Sequence, residues 1–209
     1  MDTAAAVTLA GCAILPAMTA LFTTFFLVGI AEMADKTQLL TLCLTCRYPA
    51  RKVLVGVGVA IAVLNLIAVA VGGLAGQLLP IGPIKIAAGL MFLAFGVWTL
   101  VARDDGTEEA CDIEPTTGLR RSPVLAVAVA FFIAEIGDKT QLATLSLAAR
   151  FETLVLVWLG ACLGMLAANG LAIGGGSLLS DRVSESTLKK ISGILFIAFG
   201  IWTLVDALA

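Results

Sequence analysis

Long apolar runs, each closed by a short polar or proline-bearing break, dominate this chain. Six of them approach or exceed the roughly 20 residues that a helix needs to cross a bilayer, at 19–46, 53–79, 84–102, 123–149, 153–179 and 188–208. The breaks are Arg47–Lys52, Pro80-Ile81-Gly82-Pro83, residues 103–122, Arg150–Glu152 and Asp181–Thr187. Residues 4–18 are apolar too, but Pro16 interrupts them, so they are expected to extend the first helix outward or to lie at the interface. The pattern predicts an all-α membrane protein with six transmembrane helices.

The runs come in two copies. Ala31-Glu32-Met33-Ala34-Asp35-Lys36-Thr37-Gln38-Leu39-Leu40-Thr41-Leu42 matches Ala134-Glu135-Ile136-Gly137-Asp138-Lys139-Thr140-Gln141-Leu142-Ala143-Thr144-Leu145. Ala94-Phe95-Gly96-Val97-Trp98-Thr99-Leu100-Val101 recurs as Ala198-Phe199-Gly200-Ile201-Trp202-Thr203-Leu204-Val205, and Asn65 aligns with Asn169. Apolar helices resemble one another cheaply, whereas charges shared at matching positions do not. The expected organisation is an N-terminal apolar extension (1–18), a first three-helix repeat (19–102), an acidic linker (103–122) and a second three-helix repeat (123–209). Three spans per copy is an odd number, so the second copy must enter the membrane inverted. Such repeats are characteristic of secondary transporters, which hold substrate near the midplane where the halves meet.

Composition agrees with a lipid-facing surface. The chain of 209 residues is 60% hydrophobic, with a mean hydropathy of +1.05, against about 45–50% apolar for soluble domains. A formal charge of −2 with only 13% charged residues leaves no basic face for nucleic acid. Nine basic residues (Arg47, Arg51, Lys52, Arg103, Arg120, Arg121, Arg182, Lys189 and Lys190) fall in the loops of one side, against Lys85 and Arg150 on the other. The positive-inside rule then makes the first side cytoplasmic and puts both termini outside. The expected location is a bacterial inner (plasma) membrane. Leu9-Ala10-Gly11-Cys12 resembles a lipoprotein cleavage box, but Met1-Asp2 lacks the basic start of a signal peptide, which favours an uncleaved segment.

The candidate chemistry lies inside the first and fourth spans. An ionisable residue at a helix centre costs about 2.5–3.5 kcal/mol on insertion scales. Glu32, Asp35, Lys36, Glu135, Asp138 and Lys139 together would cost at least about 15 kcal/mol unpaired, more than a typical domain's whole stability. They must be paired, hydrated or cation-bound. Glu and Asp at i and i+3 share a helix face and can chelate one ion. Thr37, Gln38 and Thr41 in the first copy, and Thr140, Gln141 and Thr144 in the second, continue a stripe of oxygen atoms along the expected cation and proton pathway. Gly137 and the small Ala34 would let the helix loosen, as in the broken helices of transporters. Asn65 and Asn169 are either partners of the carboxylates or plain interhelical hydrogen bonds. Histidine is absent, so this hard oxygen set suits Ca²⁺, Mn²⁺ or Mg²⁺ better than Zn²⁺ or Cu⁺. Clustered carboxylates repel, which raises some of their pKa values; protonating two as the metal leaves would couple export to proton entry. No resident cofactor is expected, only the transported cation and protons.

Glu-x-x-Asp-Lys-Thr, present twice in a six-span chain and once as Glu-x-Gly-Asp-Lys-Thr, resembles the motif of uncharacterised protein family 0016, which includes the Gdt proteins, transmembrane protein 165 and bacterial manganese exporters. The resemblance spans about residues 20–208. It implies Mn²⁺ or Ca²⁺ transport in exchange for protons, with Glu32, Asp35, Glu135 and Asp138 as the cation site. The second copy fits fully; the first departs at Ala34, where the family usually has Gly.

Other features carry weaker readings. Cys43 and Cys46 form a CxxC, which would suit a membrane thiol–disulfide electron carrier. The second copy has Ser146 and Ala149 in those places, so small residues packed between helices is the better reading. Five cysteines scattered through apolar helices do not form a disulfide framework. Trp98 and Trp202 fit interface anchors. The acidic segment 103–121 fits a solvated linker better than a metal sensor. Export of another small solute, such as a basic amino acid, is a further alternative, with Lys36 or Lys139 binding its carboxylate.

Overall fold

The computed structural model describes residues 3–33, 36–101, 122–179 and 185–208. Among them every regular element is helical: α1 (Thr3–Glu32), α2 (Lys36–Arg47), α3 (Ala50–Leu78), α4 (Ile81–Val101), α5 (Pro123–Glu135), α6 (Lys139–Arg150), α7 (Leu154–Leu179) and α8 (Glu185–Leu208). Proline sets several starts. Pro49 caps α3, Pro80 separates α3 from α4, and Pro123 stands in the first turn of α5, where its missing N–H costs nothing.

Among the described residues four helices, α3, α4, α7 and α8, are long and apolar enough to cross a membrane. Their outer faces carry contiguous apolar side chains, among them Leu54, Val59, Leu66 and Leu74 on α3 and Ile194, Ile201 and Val205 on α8. Monomeric soluble proteins rarely expose apolar surface on this scale, so lipid is the solvent that these faces are built for. Trp98 and Trp202, 66% and 48% exposed, sit near the C-terminal ends of α4 and α8.

The structure differs from the expected pattern at two spans. The runs at 19–46 and 123–149 are not continuous helices: the first divides into α1 and α2, the second into α5 and α6. At the second break Ile136 and Asp138 are extended, and Gly137 takes a φ of +84°. That is a left-handed backbone which a Cβ disfavours.

Each broken helix packs against the other half of the sequence. α1 and α2 lie on α7, and α5 and α6 lie on α3. The contacts recur in pairs: a Cβ built on Gly56 of α3 would stand 2.7 Å from the Val124 carbonyl of α5, and one on Gly160 of α7 would stand 2.6 Å from the Leu21 carbonyl of α1. One core formed by Val28, Leu44, Val57, Ile61, Val127, Phe131 and Met165 therefore draws on both halves. α4 and α8 form a separate pair. Gly96 meets the Gly193 backbone and Gly89 meets the Gly200 backbone, the small-residue approach that membrane helices use, while Phe92 stacks on Phe196 at 6.0 Å. At one end, Asp206 of α8 pairs with Lys85 of α4 (2.9 Å) and Arg150 of α6 (3.0 Å). Arg150 also lies over the Trp202 ring at 4.4 Å, which ties the α4–α8 pair to α6.

Candidate functional site

The two breaks put the motif carboxylates at helix ends. Glu32 is the last residue of α1 and Glu135 the last of α5, and they are 0% and 1% exposed. The C-terminal end of a helix carries partial negative charge on its unsatisfied carbonyls, which favours cations. Each glutamate adds a carboxylate to such an end. Asp138 does the reverse: it caps the N-terminus of α6, accepting from the Thr140 backbone N–H and hydroxyl at 3.5 Å each, where the positive end of the dipole favours an anion.

Glu32 is held from both halves. The Thr37 hydroxyl donates to its Oε1 at 3.0 Å, and Asn169 Nδ2 of α7 donates to the same oxygen at 3.1 Å. Asn169 is itself fixed, donating to the Met165 carbonyl at 3.0 Å and accepting from the Thr41 hydroxyl at 2.9 Å. The second copy repeats this crossing. The Thr144 hydroxyl of α6 donates to Asn65 Oδ1 of α3 at 3.1 Å, and Asn65 Nδ2 donates to the Ile61 carbonyl at 3.0 Å. Gln38 Nε2 reaches the Ala168 carbonyl and Gln141 Nε2 the Leu64 carbonyl, both at 3.5 Å. Buried polar groups are costly unless hydrogen-bonded, and the glutamine and threonine side chains of each motif meet this demand with the second span of the opposite half.

The sequence-derived set is thus redistributed. Gln38, Thr41, Gln141 and Thr144 each donate a hydrogen bond across to α3 or α7. Gln141 Oε1 also accepts from the Gly137 N–H at 2.7 Å and so braces the break. Thr140 is buried and Lys139, part-buried, opens α6. Asp35 lies outside the described residues, and Lys36 opens α2. Among the described residues, no three Asp, Glu or Cys side chains stand close enough together to hold one metal ion. Asn169 is a direct partner of Glu32, and Asn65 makes an interhelical bond, so the two alternatives for the asparagines are divided between them. Cys46 is an exposed free thiol, neither packed between helices nor bonded to Cys43. Its place near the end of α2, beyond the packed stretch at Leu44, turns it outward. Met165, which links the two asparagines, had no signal of its own in an apolar run; only its place one turn before Asn169 marks it.

The comparisons with known proteins point one way. The family model for the divalent cation/proton antiporter GDT1 matches residues 20–107 and 123–209. A GDT1-like protein of Synechocystis is 33% identical over 204 residues, covering 89% of this chain and 98% of its own length. A Vibrio cholerae relative whose name points to manganese export is 33% identical over 180 residues, covering 84% of this chain and 86% of its own. GDT1-like protein 3 of Arabidopsis thaliana is 27% identical over 203 residues, 87% of this chain and 69% of its own. No solved structure matches.

Proposed function

Since this chain belongs to the divalent cation/proton antiporter family GDT1, we propose that it exports Mn²⁺ from the cytoplasm in exchange for protons, with Ca²⁺ as a second substrate. The cation site is formed by Glu32, Asp35, Glu135 and Asp138, and Lys36, Thr37, Gln38, Thr41, Lys139, Thr140, Gln141 and Thr144 support it. Six spans, each broken helix counting as one, form two inverted three-helix repeats, with both termini outside. The exchanged packing of α1–α2 on α7 and α5–α6 on α3 supports that arrangement. The family's substrate class speaks against a basic amino acid.

One observation carries the reading: a fully buried Glu32 at a helix break, held by Asn169 of the other half. A carboxylate in that place is costly as an anion without compensation. A cation or a proton supplies it, and alternation between the two is exchange. When the halves rock, Asn169 and Thr41 move with opposite repeats, so the hold on Glu32 changes with the state of the transporter. Asn169→Ala removes that hold and is expected to lower transport about 10- to 100-fold, the usual cost of losing a group that orients a metal ligand. The overall test is ion uptake into everted vesicles across Mn²⁺, Ca²⁺, Mg²⁺ and lysine. Mn²⁺ uptake well above empty vesicles, with none for lysine, is expected; lysine uptake without Mn²⁺ uptake overturns the proposal.

A further inference from the structure

Asn65 and Asn169 hold equivalent places, yet the residue one turn before each differs. Asn169 Nδ2 bonds the carbonyl of Met165, and Asn65 Nδ2 bonds the carbonyl of Ile61. Only Met165 adds its side chain, with Sδ 3.3 Å from Asn65 Nδ2. Met165 is 3% exposed, and through its carbonyl it stands one hydrogen-bonded residue from Glu32. Cys162, one turn earlier on α7, is buried as well. The corresponding first-half residues are Ile61 and Gly58. Met165 Sδ therefore faces Asn65 directly, and the first half has no sulfur at the matching positions.

Methionine often serves only to fill irregular gaps, but a thioether beside an oxygen site also has a chemical consequence. Ca²⁺ takes oxygen ligands almost exclusively, whereas a thioether suits soft ions such as Cd²⁺ and is disfavoured less by Mn²⁺, a transition ion that otherwise takes oxygen. Carboxylate and amide oxygens accept Mn²⁺ and Ca²⁺ alike, so they cannot by themselves set the preference. We propose that Met165 Sδ is a selectivity-determining donor of the cation pathway, favouring Mn²⁺ and Cd²⁺ over Ca²⁺, an inference that rests on the transport reading above. An ion arriving beside Met165 Sδ takes the place of the Asn65 N–H now directed at the sulfur, and the amide must turn, releasing the Thr144 hydroxyl and the Ile61 carbonyl, to present its oxygen.

The test is Met165→Ile, which makes the two halves alike at this position, with Met165→Leu as a second variant of similar volume. Initial rates of Mn²⁺ and Ca²⁺ transport are measured in proteoliposomes, together with inhibition by Cd²⁺. The expected result is an Mn²⁺ KM raised about 10-fold, a Ca²⁺ KM changed less than about 2-fold, and weaker Cd²⁺ inhibition. Should Mn²⁺ and Ca²⁺ transport change in parallel, or neither change in both variants, the inference fails while the transport reading stands. A wild-type protein that moves neither ion overturns the transport reading itself, and this inference with it.

Discussion

Glu32→Gln is expected to cut divalent cation transport at least about 100-fold, beyond the 10- to 100-fold typical of residues that only orient a metal ligand. Glutamine keeps the shape of the side chain and an oxygen for the Thr37 hydroxyl and Asn169 Nδ2, which lie 3.0 and 3.1 Å from Glu32 Oε1. What it removes is the charge and the titrating proton. The same substitution should leave thermal stability unchanged or raised, because a neutral side chain at this depth escapes an ionisable group's cost of about 2.5–3.5 kcal/mol. Activity lost with stability kept is the signature of a functional charge. Activity and stability falling together would instead mark Glu32 as a member of a structural ion network. Glu135→Gln, at the equivalent helix end, should behave in the same way.

Gly72→Ala should lower the melting temperature in detergent by about 5 °C, as follows from an overpacking cost of about 1–3 kcal/mol and about 2–4 °C per kcal/mol for a chain of this size. A Cβ at Gly72 would run into the Leu145 carbonyl oxygen and stand 2.9 Å from the Ala148 Cβ. Both belong to α6, and a helix backbone cannot turn aside as a flexible side chain can. α6 must then shift as a whole, carrying Asp138, Thr140 and Thr144, so transport falls too. Gly82→Ala is the control, since a Cβ there meets nothing within 4 Å. Equal melting temperatures for Gly72→Ala and wild type would show that α3 and α6 are not packed this closely.

The duplication and the acidic motif were legible in the sequence because charges in apolar runs are rare and theirs recur at a constant offset. The helix breaks were not. Hydropathy registers composition, and the runs stay apolar across 33–35 and 136–138 apart from the motif itself. Gly137 hinted at one break, but a glycine reveals its φ only in three dimensions, and Ala34 gave less. Partner choice was hidden for another reason. Spacing places Gln38 and Thr41 on a helix face without saying what that face meets, and the answer is the opposite half: the Ala168 carbonyl and Asn169. These side chains brace one half against the other, while Glu32 and Glu135 stand at helix ends.

Exchange of a divalent cation for protons through the paired motifs can be followed with a pH-sensitive dye trapped inside proteoliposomes of the purified protein. An Mn²⁺ gradient is then imposed from outside without a pH gradient. Mn²⁺ entry is expected to drive protons out and turn the lumen alkaline in wild type, with no change in Glu135→Gln. Mn²⁺ entering with no change in lumenal pH, or Glu135→Gln exchanging as fast as wild type, would contradict it.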